Sequence, residues 1–253
     1  MLAAVVLAAT LSADATCPSR DQILKRVESH DLSRASRLDR FGQEIPGKLH
    51  LKAATRPGRA IARRRGLHGF GAIVVDLAVE RLWKAISDEE HFDLEGFLPV
   101  ERSDVIEGNP RGARRMLLQT FDRLGIGRWW VSEVNVNGEL FSQSGGRLWE
   151  TYWQDRMSEV DPSLPPVSEV SGDLSPLREG HGAWLLVPVA EECTLVDYYV
   201  HADPGGIVGA FHLLMLKGAI RSTLTGVVRM AEDHVDHVHP EERFLRPDGT
   251  PIR

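Results

Sequence analysis

A long amphipathic segment follows two apolar stretches in the last third of the chain, and it constrains the fold more than any other feature. It opens at Asp203-Pro204-Gly205-Gly206. Asp followed by Pro favours a helix start, because the Asp side chain accepts a hydrogen bond from a free backbone N–H and Pro has no N–H to satisfy. Apolar residues then recur at helical spacing as far as Met230, which predicts a helix of about 28 residues, roughly 40 Å long, with one wide apolar face. A helix of this length needs a large concave partner.

The region before this helix predicts one strand, one helix and then a run of strands. The β-branched stretch at 71–78 predicts the first strand, and apolar spacing predicts the helix that follows it over 79–88. A short helical or turn element is expected at 89–97. The remaining strands are predicted at 98–107, 113–121, 128–136, 147–155, 181–189 and 193–201.

Turn residues separate several of these strands. Glu107-Gly108-Asn109-Pro110 and Leu124-Gly125-Ile126-Gly127 predict turns, and Asn137-Gly138 predicts a hairpin. Consecutive strands with short connections form antiparallel neighbours. The element order therefore predicts an α+β fold in which a curved antiparallel sheet wraps around the long C-terminal helix.

The two ends of the chain differ from this body. Residues 1–15 predict a signal peptide, because an apolar stretch precedes the cleavage pattern Ala13-Asp14-Ala15. No Lys or Arg stands before the apolar stretch, so a cytoplasmic location remains the alternative to a periplasmic or secreted one. Residues 239–253 predict a polar C-terminal tail.

A basic arm over residues 16–66 precedes an acidic body. Residues 20–66 hold 13 Lys/Arg against 5 Asp/Glu, whereas residues 67–253 hold 17 against 30. Pro and Gly at 42–66 predict a linker. The arm either docks on its own domain or contacts an anionic membrane. Nucleic acid is not an expected partner, because no aromatic residue is interleaved with the arginines of residues 56–65. The residues predicted to contact a membrane are Arg56, Arg59, Arg63, Arg64 and Arg65.

The chain has two cysteines, Cys17 and Cys193. A disulfide between them would need an oxidising compartment, and Cys17 lies in an N-terminal segment with no confident element. We therefore expect Cys193 to pack as a small apolar side chain in its strand. No CxxC pair is present that would predict a zinc site.

The order of elements resembles the helix-grip fold of the START and Bet v 1-like superfamily. The stretch 73–88 is similar to the opening strand and helix of that superfamily, and 98–107 is similar to its second strand. The stretch 198–206 resembles the approach to the C-terminal helix of START domains. The resemblance implies a START-like domain over residues 67–238 that holds a lipid, sterol or polyketide-like ligand in a tunnel between sheet and helix.

Aromatic residues in the predicted strands give the candidate binding site. Period-2 alternation puts Trp149, Thr151 and Trp153 on one face of their strand. This face either packs under the long helix or lines an apolar cavity, in which Thr151 or Tyr199 would orient a ligand head group. The ligand-binding residues predicted in this way are Trp149, Thr151, Trp153, Tyr199, Phe211, Leu214 and Met215.

The sequence predicts non-catalytic binding, and with it transfer, of a lipid or other hydrophobic small molecule. The alternative is a polyketide cyclase or aromatase that uses the same tunnel, with His181 or His201 as general acid–base, although a lone strand histidine is more often structural. No motif for phosphate, dinucleotide, metalloprotease or serine-hydrolase chemistry is present, so neither a catalytic residue nor a cofactor nor a metal is expected. The histidines at 234, 237 and 239 are interpreted as a solvated helix end.

The segment 156–180 and the glycines of the long helix have roles that depend on where they lie in the fold. Residues 156–180 are rich in Pro and acidic residues and are expected to form a surface loop that acts as a lid over the mouth of the tunnel. The long helix contains Gly209, Gly218 and Gly226, which either permit close contact with a neighbouring element or leave room for a ligand.

Overall fold

The computed structural model describes Cys17 and residues 59–63, 66–123, 126–203, 210–233 and 244–252. For residues 59–63, 66, 95, 123, 126 and 210–215 it describes the backbone only. The strands are β1 (Arg59–Arg63), β2 (Gly66–Val75), β3 (Arg102–Gly108), β4 (Arg114–Arg123), β5 (Ile126–Val136), β6 (Trp149–Asp155), β7 (Ser175–Pro176), β8 (Glu179–Ala190) and β9 (Cys193–Asp203). The α-helices are α1 (Val79–Ile86), α2 (Gly138–Gln143), α3 (Ser168–Ser171) and α4 (Ala210–Asp233).

The strands form one curved, unclosed sheet in the order β1-β2-β9-β8-β6-β5-β4-β3. All pairs along this path are antiparallel, and β7 adds a two-residue parallel pairing to β5. The predicted α+β helix-grip architecture is confirmed, with α4 on the concave, inner face of the sheet. Each predicted strand after α1 corresponds to an observed one, within about four residues at either end.

The main core lies between α4, α1 and the inner face of the sheet. Ile220, Leu224 and Val227 of α4 are buried against it, as is Trp83 of α1. The guanidinium of Arg81 donates to the carbonyl oxygen of Ala231 at 2.7 Å and to that of Glu232 at 3.0 Å. Arg81 therefore ties the last described turn of α4 to α1.

The long helix is described from Ala210 onward. Asp203 is the last residue of β9, and α4 covers 24 residues from Ala210. Residues 204–209 lie outside the described part of the chain, so the predicted start with a cap at Asp203 stays a prediction. Within that part, no helix has the length and apolar character needed to cross a lipid bilayer.

Two boundaries also differ from the prediction. β1 pairs with β2 over Arg59–Arg63, in a segment for which the sequence predicts a linker, so the sheet begins earlier than residue 67. Asn137 caps α2 by accepting a hydrogen bond from the backbone N–H of Leu140 at 3.1 Å. Asn-Gly thus starts a short helix here rather than a two-residue hairpin, because the Asn side chain is as good a helix cap as a turn former.

The C-terminal segment is part of the core and not a free polar tail over its described residues, 244–252. Phe244 and Ile252 are buried in the main core. The indole N–H of Trp83 donates to the Leu245 carbonyl oxygen at 2.8 Å, and Arg246 donates to Glu80 at 2.9 Å. Phe244 and Ile252 are surrounded in the sequence by charged residues, Pro and Gly. The segment therefore shows no hydrophobic periodicity that would predict its packing.

The 156–180 segment covers the outer face of the sheet. Val167 and Val170 are buried against Leu118, Trp129 and Val131 of β4 and β5. Side chains of β4 and β5 that face outward are apolar here, and the segment removes them from water. The prediction of a lid is therefore wrong for most of this segment, since it lies on the face opposite α4.

A disulfide joins Cys17 to Cys193, with 5.5 Å between their Cα atoms. The prediction that Cys193 packs as a free apolar side chain is wrong. Cys193 is fully buried in a second core cluster on the outer face, with Ala72, Leu185 and Leu195. The two cysteines are 176 residues apart in sequence, so no local pattern predicts the pairing.

Candidate functional site

A cavity of about 270 Å³ lies between α4 and the inner face of the sheet. Its volume is close to the lower end of the range for small-molecule pockets, about 300–1,000 Å³. Residues of six strands and of α4 border it, together with the turn residues at 98–100. The cavity is thus the space that remains where the helix crosses the curved sheet.

Aromatic side chains form the floor of the cavity. Tyr198 of β9 stacks on Trp153 of β6, at 5.9 Å between ring centroids, and contacts Trp184 of β8 in a tilted arrangement at 4.3 Å. Gly182 lies opposite Trp153 in the β6–β8 pairing, and a Cβ atom there would lie 2.2 Å from the Trp153 ring. Because Gly182 has no side chain, the Trp153 indole can lie against the backbone of β8 on the cavity side.

Four residues of α4 border the cavity from the other side: Leu216, Ala219, Ile220 and Thr223. They recur at three- and four-residue spacing, which is one face of a helix. Ile220 also reaches β2, where a Cβ atom on Gly69 would lie 2.4 Å from its side chain. The helix therefore closes onto the sheet at Ile220 and leaves open space beside Ala219.

A buried ion pair stands at one end of the cavity. Glu89, in the turn after α1, borders it, and the Arg115 guanidinium donates to both carboxylate oxygens of Glu89. Burial raises the pKa of the Glu89 carboxyl, and the charge and hydrogen bonds of Arg115 oppose that rise. The pair places an acidic and a basic side chain beside a largely apolar space, and each satisfies hydrogen bonds of the other.

Neutral polar groups also face the cavity. Gln119 of β4 donates to the Ser103 hydroxyl at 3.0 Å, and Thr151 of β6 donates to the Asn135 carbonyl oxygen at 3.2 Å. Burial raises the pKa of the Tyr198 hydroxyl, so it stays protonated. The cavity thus combines an apolar body with a few fixed polar groups, which is the usual composition of a small-molecule site.

Only some of the ligand-binding residues predicted from the sequence border the cavity in the structure. Thr151 and Trp153 border the cavity. Trp149 shares their face but packs in the core, with its ring 5.6 Å from that of Trp83. Tyr199 lies on the outer face, and its neighbour Tyr198 faces the cavity instead. At 211, 214 and 215 the structure describes only the backbone, so the predicted lining role of these side chains stays a prediction.

Sequence reasoning missed Tyr198, Trp184 and Glu89. β8 and β9 are buried on both faces, so their sequences are almost continuously apolar and alternation does not mark the inner side. The register supplies that information: Trp184 pairs with Tyr198 and with Thr151. Glu89 carries no local signal, because its partner is 26 residues away in β4.

The histidines considered as general acid–base groups point away from the cavity. His201 borders it through its position in β9, but the alternation that turns Val200 and Ala202 inward turns the His201 ring outward. There it lies 4.5 Å, between ring centroids, from both His68 and His181. Burial, with the charges of His201 and His68, lowers the pKa of His181 to about 3. Burial also lowers the pKa of His201, against the opposing charges of Glu179 and Asp203.

The remaining predicted sites lie mostly outside the described residues. Of the membrane-contact arginines, Arg59 and Arg63 lie in β1, where only the backbone is described, and the other three fall outside the described ranges. The tail histidines at 234, 237 and 239 also fall outside them. Their roles stay predictions.

The chain has the helix-grip fold of the START and Bet v 1-like superfamily. No family model matches the sequence, and no curated protein matches it significantly. The fold is similar to that of a STAR-related lipid transfer protein fragment from Xanthomonas axonopodis, with a TM-score of 0.56 at 14% identity over 70% of this chain and 93% of that one. It is also similar to human STARD10, with a TM-score of 0.51 at 12% identity over 73% and 81% of the two chains. These likenesses establish the fold.

Proposed function

We propose that this domain binds a lipid or other hydrophobic small molecule, without covalent chemistry, in the cavity between α4 and the sheet. The observation that carries the proposal is the composition of the cavity, in which an aromatic floor faces an apolar helix and a few polar groups stand at the edge. Burial of apolar ligand surface would supply about 25 cal/mol per Å², less the cost of association. The lipid-transfer name of the Xanthomonas protein with this fold supports the same ligand class.

The test is to fill the cavity from the helix. Ala219→Trp places a large ring beside the aromatic floor and should weaken binding of a fluorescent acyl-chain probe at least about 10-fold, because the probe and the new ring compete for one space. Lys217→Trp is the matched control, since Lys217 is exposed two residues away on the same helix. Equal binding by both variants, with both still folded by circular dichroism, would refute the proposed site.

The ligand class is best identified by native mass spectrometry of the full chain purified without detergent. A co-purified apolar molecule that is retained by Lys217→Trp and lost from Ala219→Trp would support binding in the cavity. Retention by both variants would place that molecule elsewhere on the protein.

The cyclase or aromatase alternative is less well supported by the geometry. It requires an acid–base group that faces the ligand, and the rings of His181 and His201 lie on the outer face with His68. Glu89 does face the cavity, but both of its oxygens accept hydrogen bonds from Arg115. A carboxylate held in this way is suited to orienting a ligand and is poorly placed to exchange protons.

Export to the periplasm or beyond and contact with an anionic membrane through the basic arm belong to the same proposal. The Cys17–Cys193 disulfide supports export, because such bonds persist mainly in oxidising compartments, and Cys17 lies two residues after the predicted cleavage site. Liposome sedimentation tests the membrane contact. Replacement of the five arginines by Gln should reduce binding to anionic vesicles, and binding that is unchanged and insensitive to salt would contradict it.

A further inference from the structure

Three histidines form a row across the outer face of the sheet, on the side away from the cavity. His201 of β9 pairs in register with His68 of β2 on one side and with His181 of β8 on the other. Their exposed fractions are 2%, 7% and 5%. Three imidazoles buried side by side bring six ring nitrogens into one small volume, where each needs a hydrogen bond or a metal.

A carboxylate completes the row at its solvent side. Glu179 lies two residues before His181, so it projects from the same face of β8. Its Oε1 atom lies 3.6 Å from His181 Nδ1, and its Oε2 atom lies 3.9 Å from His201 Nε2. One ligand atom from each of the three residues lies within 4.8 Å of the other two.

These separations are close to those of a metal site. Two ligand atoms that are each about 2.0–2.2 Å from a tetrahedral zinc ion lie roughly 3.3–3.5 Å apart. The two Glu179 contacts, one from each carboxylate oxygen, are within about half an ångström of that value. A pair at the 4.8 Å limit reaches it by a side-chain shift of about 1.5 Å. Glu179 is about half exposed, so an ion can reach the row from solvent.

The partners of the ring nitrogens point to the same site. Neither nitrogen of His201 has a hydrogen-bond partner among the described residues, although both are buried. His181 turns Nδ1 toward Glu179 and lies 3.3 Å from the Tyr199 hydroxyl through Nε2. Tyr199 also lies 3.2 Å from Nδ1 of His68. A ligand histidine commonly has its second nitrogen held in this way, which fixes the tautomer and the ring orientation.

We propose that Glu179, His181 and His201 form a binding site for a divalent transition metal of the zinc class. Two imidazoles and one carboxylate are a ligand set that zinc takes in proteins, with a fourth position left for water or for a further imidazole. His68 is the adjacent candidate for that fourth position, with its ring 4.5 Å from that of His201. Tyr199 orients His181 and is a positioning residue. The site lies on the opposite face from the cavity, so it does not depend on the proposed ligand function.

The test is a zinc titration of the full chain, freed of any affinity tag and dialysed against a chelator, by isothermal calorimetry. The unaltered chain should bind one Zn²⁺ at this site. Glu179→Gln should weaken that binding at least about 10-fold and leave the fold intact, because Glu179 lies at the surface. Tyr199→Phe should weaken it about 10- to 100-fold, as loss of an outer-shell partner does.

Two controls separate this site from other histidines. His91→Gln removes a partly exposed histidine that pairs with Asp88, and zinc affinity should not change. A triple variant with Gln at 234, 237 and 239 tests the tail histidines, and it too should keep the affinity of the unaltered chain. Co²⁺ in place of Zn²⁺ should give the intense visible absorption of a four-coordinate site, and Glu179→Gln should change that spectrum.

Either of two results would overturn the proposal. One is the absence of any saturable zinc binding by the unaltered chain at millimolar metal. The other is binding that survives Glu179→Gln and His201→Gln with unchanged affinity. If His201→Gln does not fold, the Glu179→Gln and Tyr199→Phe titrations decide the question.

Discussion

Glu133 of β5 joins β4 and the residue that follows β6 through one carboxylate on the outer face. Arg114 donates to it at 2.6 Å, Asn135 at 2.8 Å and Arg156 at 3.2 Å. Its side chain is 6% exposed. Burial alone would raise the pKa of Glu133, but the hydrogen bonds of Asn135 and Arg114 and the charge of Arg156 outweigh it and lower the pKa. The carboxylate is therefore more stable charged in the folded protein than in the unfolded chain.

This cluster predicts a pH-dependent cost for Glu133→Gln. Because the folded pKa lies below the unfolded value of 4.5, the ionised carboxylate stabilises the fold above that pH and stops doing so as pH falls through the folded pKa. Glu133→Gln should lower the free energy of unfolding by about 1–3 kcal/mol at pH 7, and the difference should shrink below pH 4.5. Urea unfolding at both pH values measures it. Glu107→Gln, at an exposed position on β3, is the control. A difference that is the same at both pH values would contradict the assignment.

Residue-level prediction from sequence succeeded in β6. Period-2 alternation placed Thr151 and Trp153 on one face, and both border the cavity. It failed in β9, where both faces are buried, because Tyr198 and Tyr199 have similar side chains and nothing local says which one turns inward. The histidine row depends on the register between β2, β8 and β9, which only the assembled sheet defines.

At the scale of elements, the glycines of α4 have different roles. A Cβ atom on Gly226 would lie 1.8 Å from the carbonyl oxygen of Phe97, whereas a Cβ atom on Gly218 would meet nothing within 4 Å. The sequence left open whether these glycines allow close contact or leave space. Gly226 allows α4 to pack directly on the backbone before β3, and Gly218 does neither, since it faces solvent.

Alanine at the two positions should therefore have opposite effects. Gly226→Ala should destabilise the protein by about 3 kcal/mol or more, because the contact is with backbone that cannot move aside without moving the turn. Gly218→Ala should stabilise it by up to about 1 kcal/mol, because alanine has the higher helix propensity. Thermal unfolding of the two variants side by side measures both effects. Destabilisation of equal size in both would mean that helix propensity does not control Gly218 and that α4 packs differently.

The order and type of the main elements were predictable because each depends on local pattern, whereas β1 and α2 were missed. The period-2 strands, the amphipathic α1 and the long α4 follow from spacing alone. What could not be predicted is where short apolar segments dock. Val167 and Val170 cover the outer face and Phe244 enters the main core, and each lies in a stretch too short and too rich in Pro or charge to show a period.

At the scale of the whole molecule, the sheet is packed on both sides. The inner face carries α4, the cavity and the C-terminal segment, and the outer face carries the 156–180 segment, the histidine row and the Cys17–Cys193 bond. The cavity in which we propose that a ligand binds is therefore on the inner side. The contacts that hold β2, β8 and β9 together from behind are on the outer side.

The disulfide should contribute to the stability of the whole domain. It closes a loop that spans 176 residues of sequence, and a cross-link of this length removes conformational entropy from the unfolded chain, so its loss should cost about 2–5 kcal/mol. Urea unfolding of the full chain with and without reductant should show a lower midpoint for the reduced form. Cys17→Ser should match the reduced form and no longer respond to reductant, because it opens the bond while Cys193 keeps its place in the buried cluster. Identical midpoints for the oxidised, reduced and Cys17→Ser proteins would show that the cross-link adds nothing to the fold, and that the outer face is held by apolar packing alone.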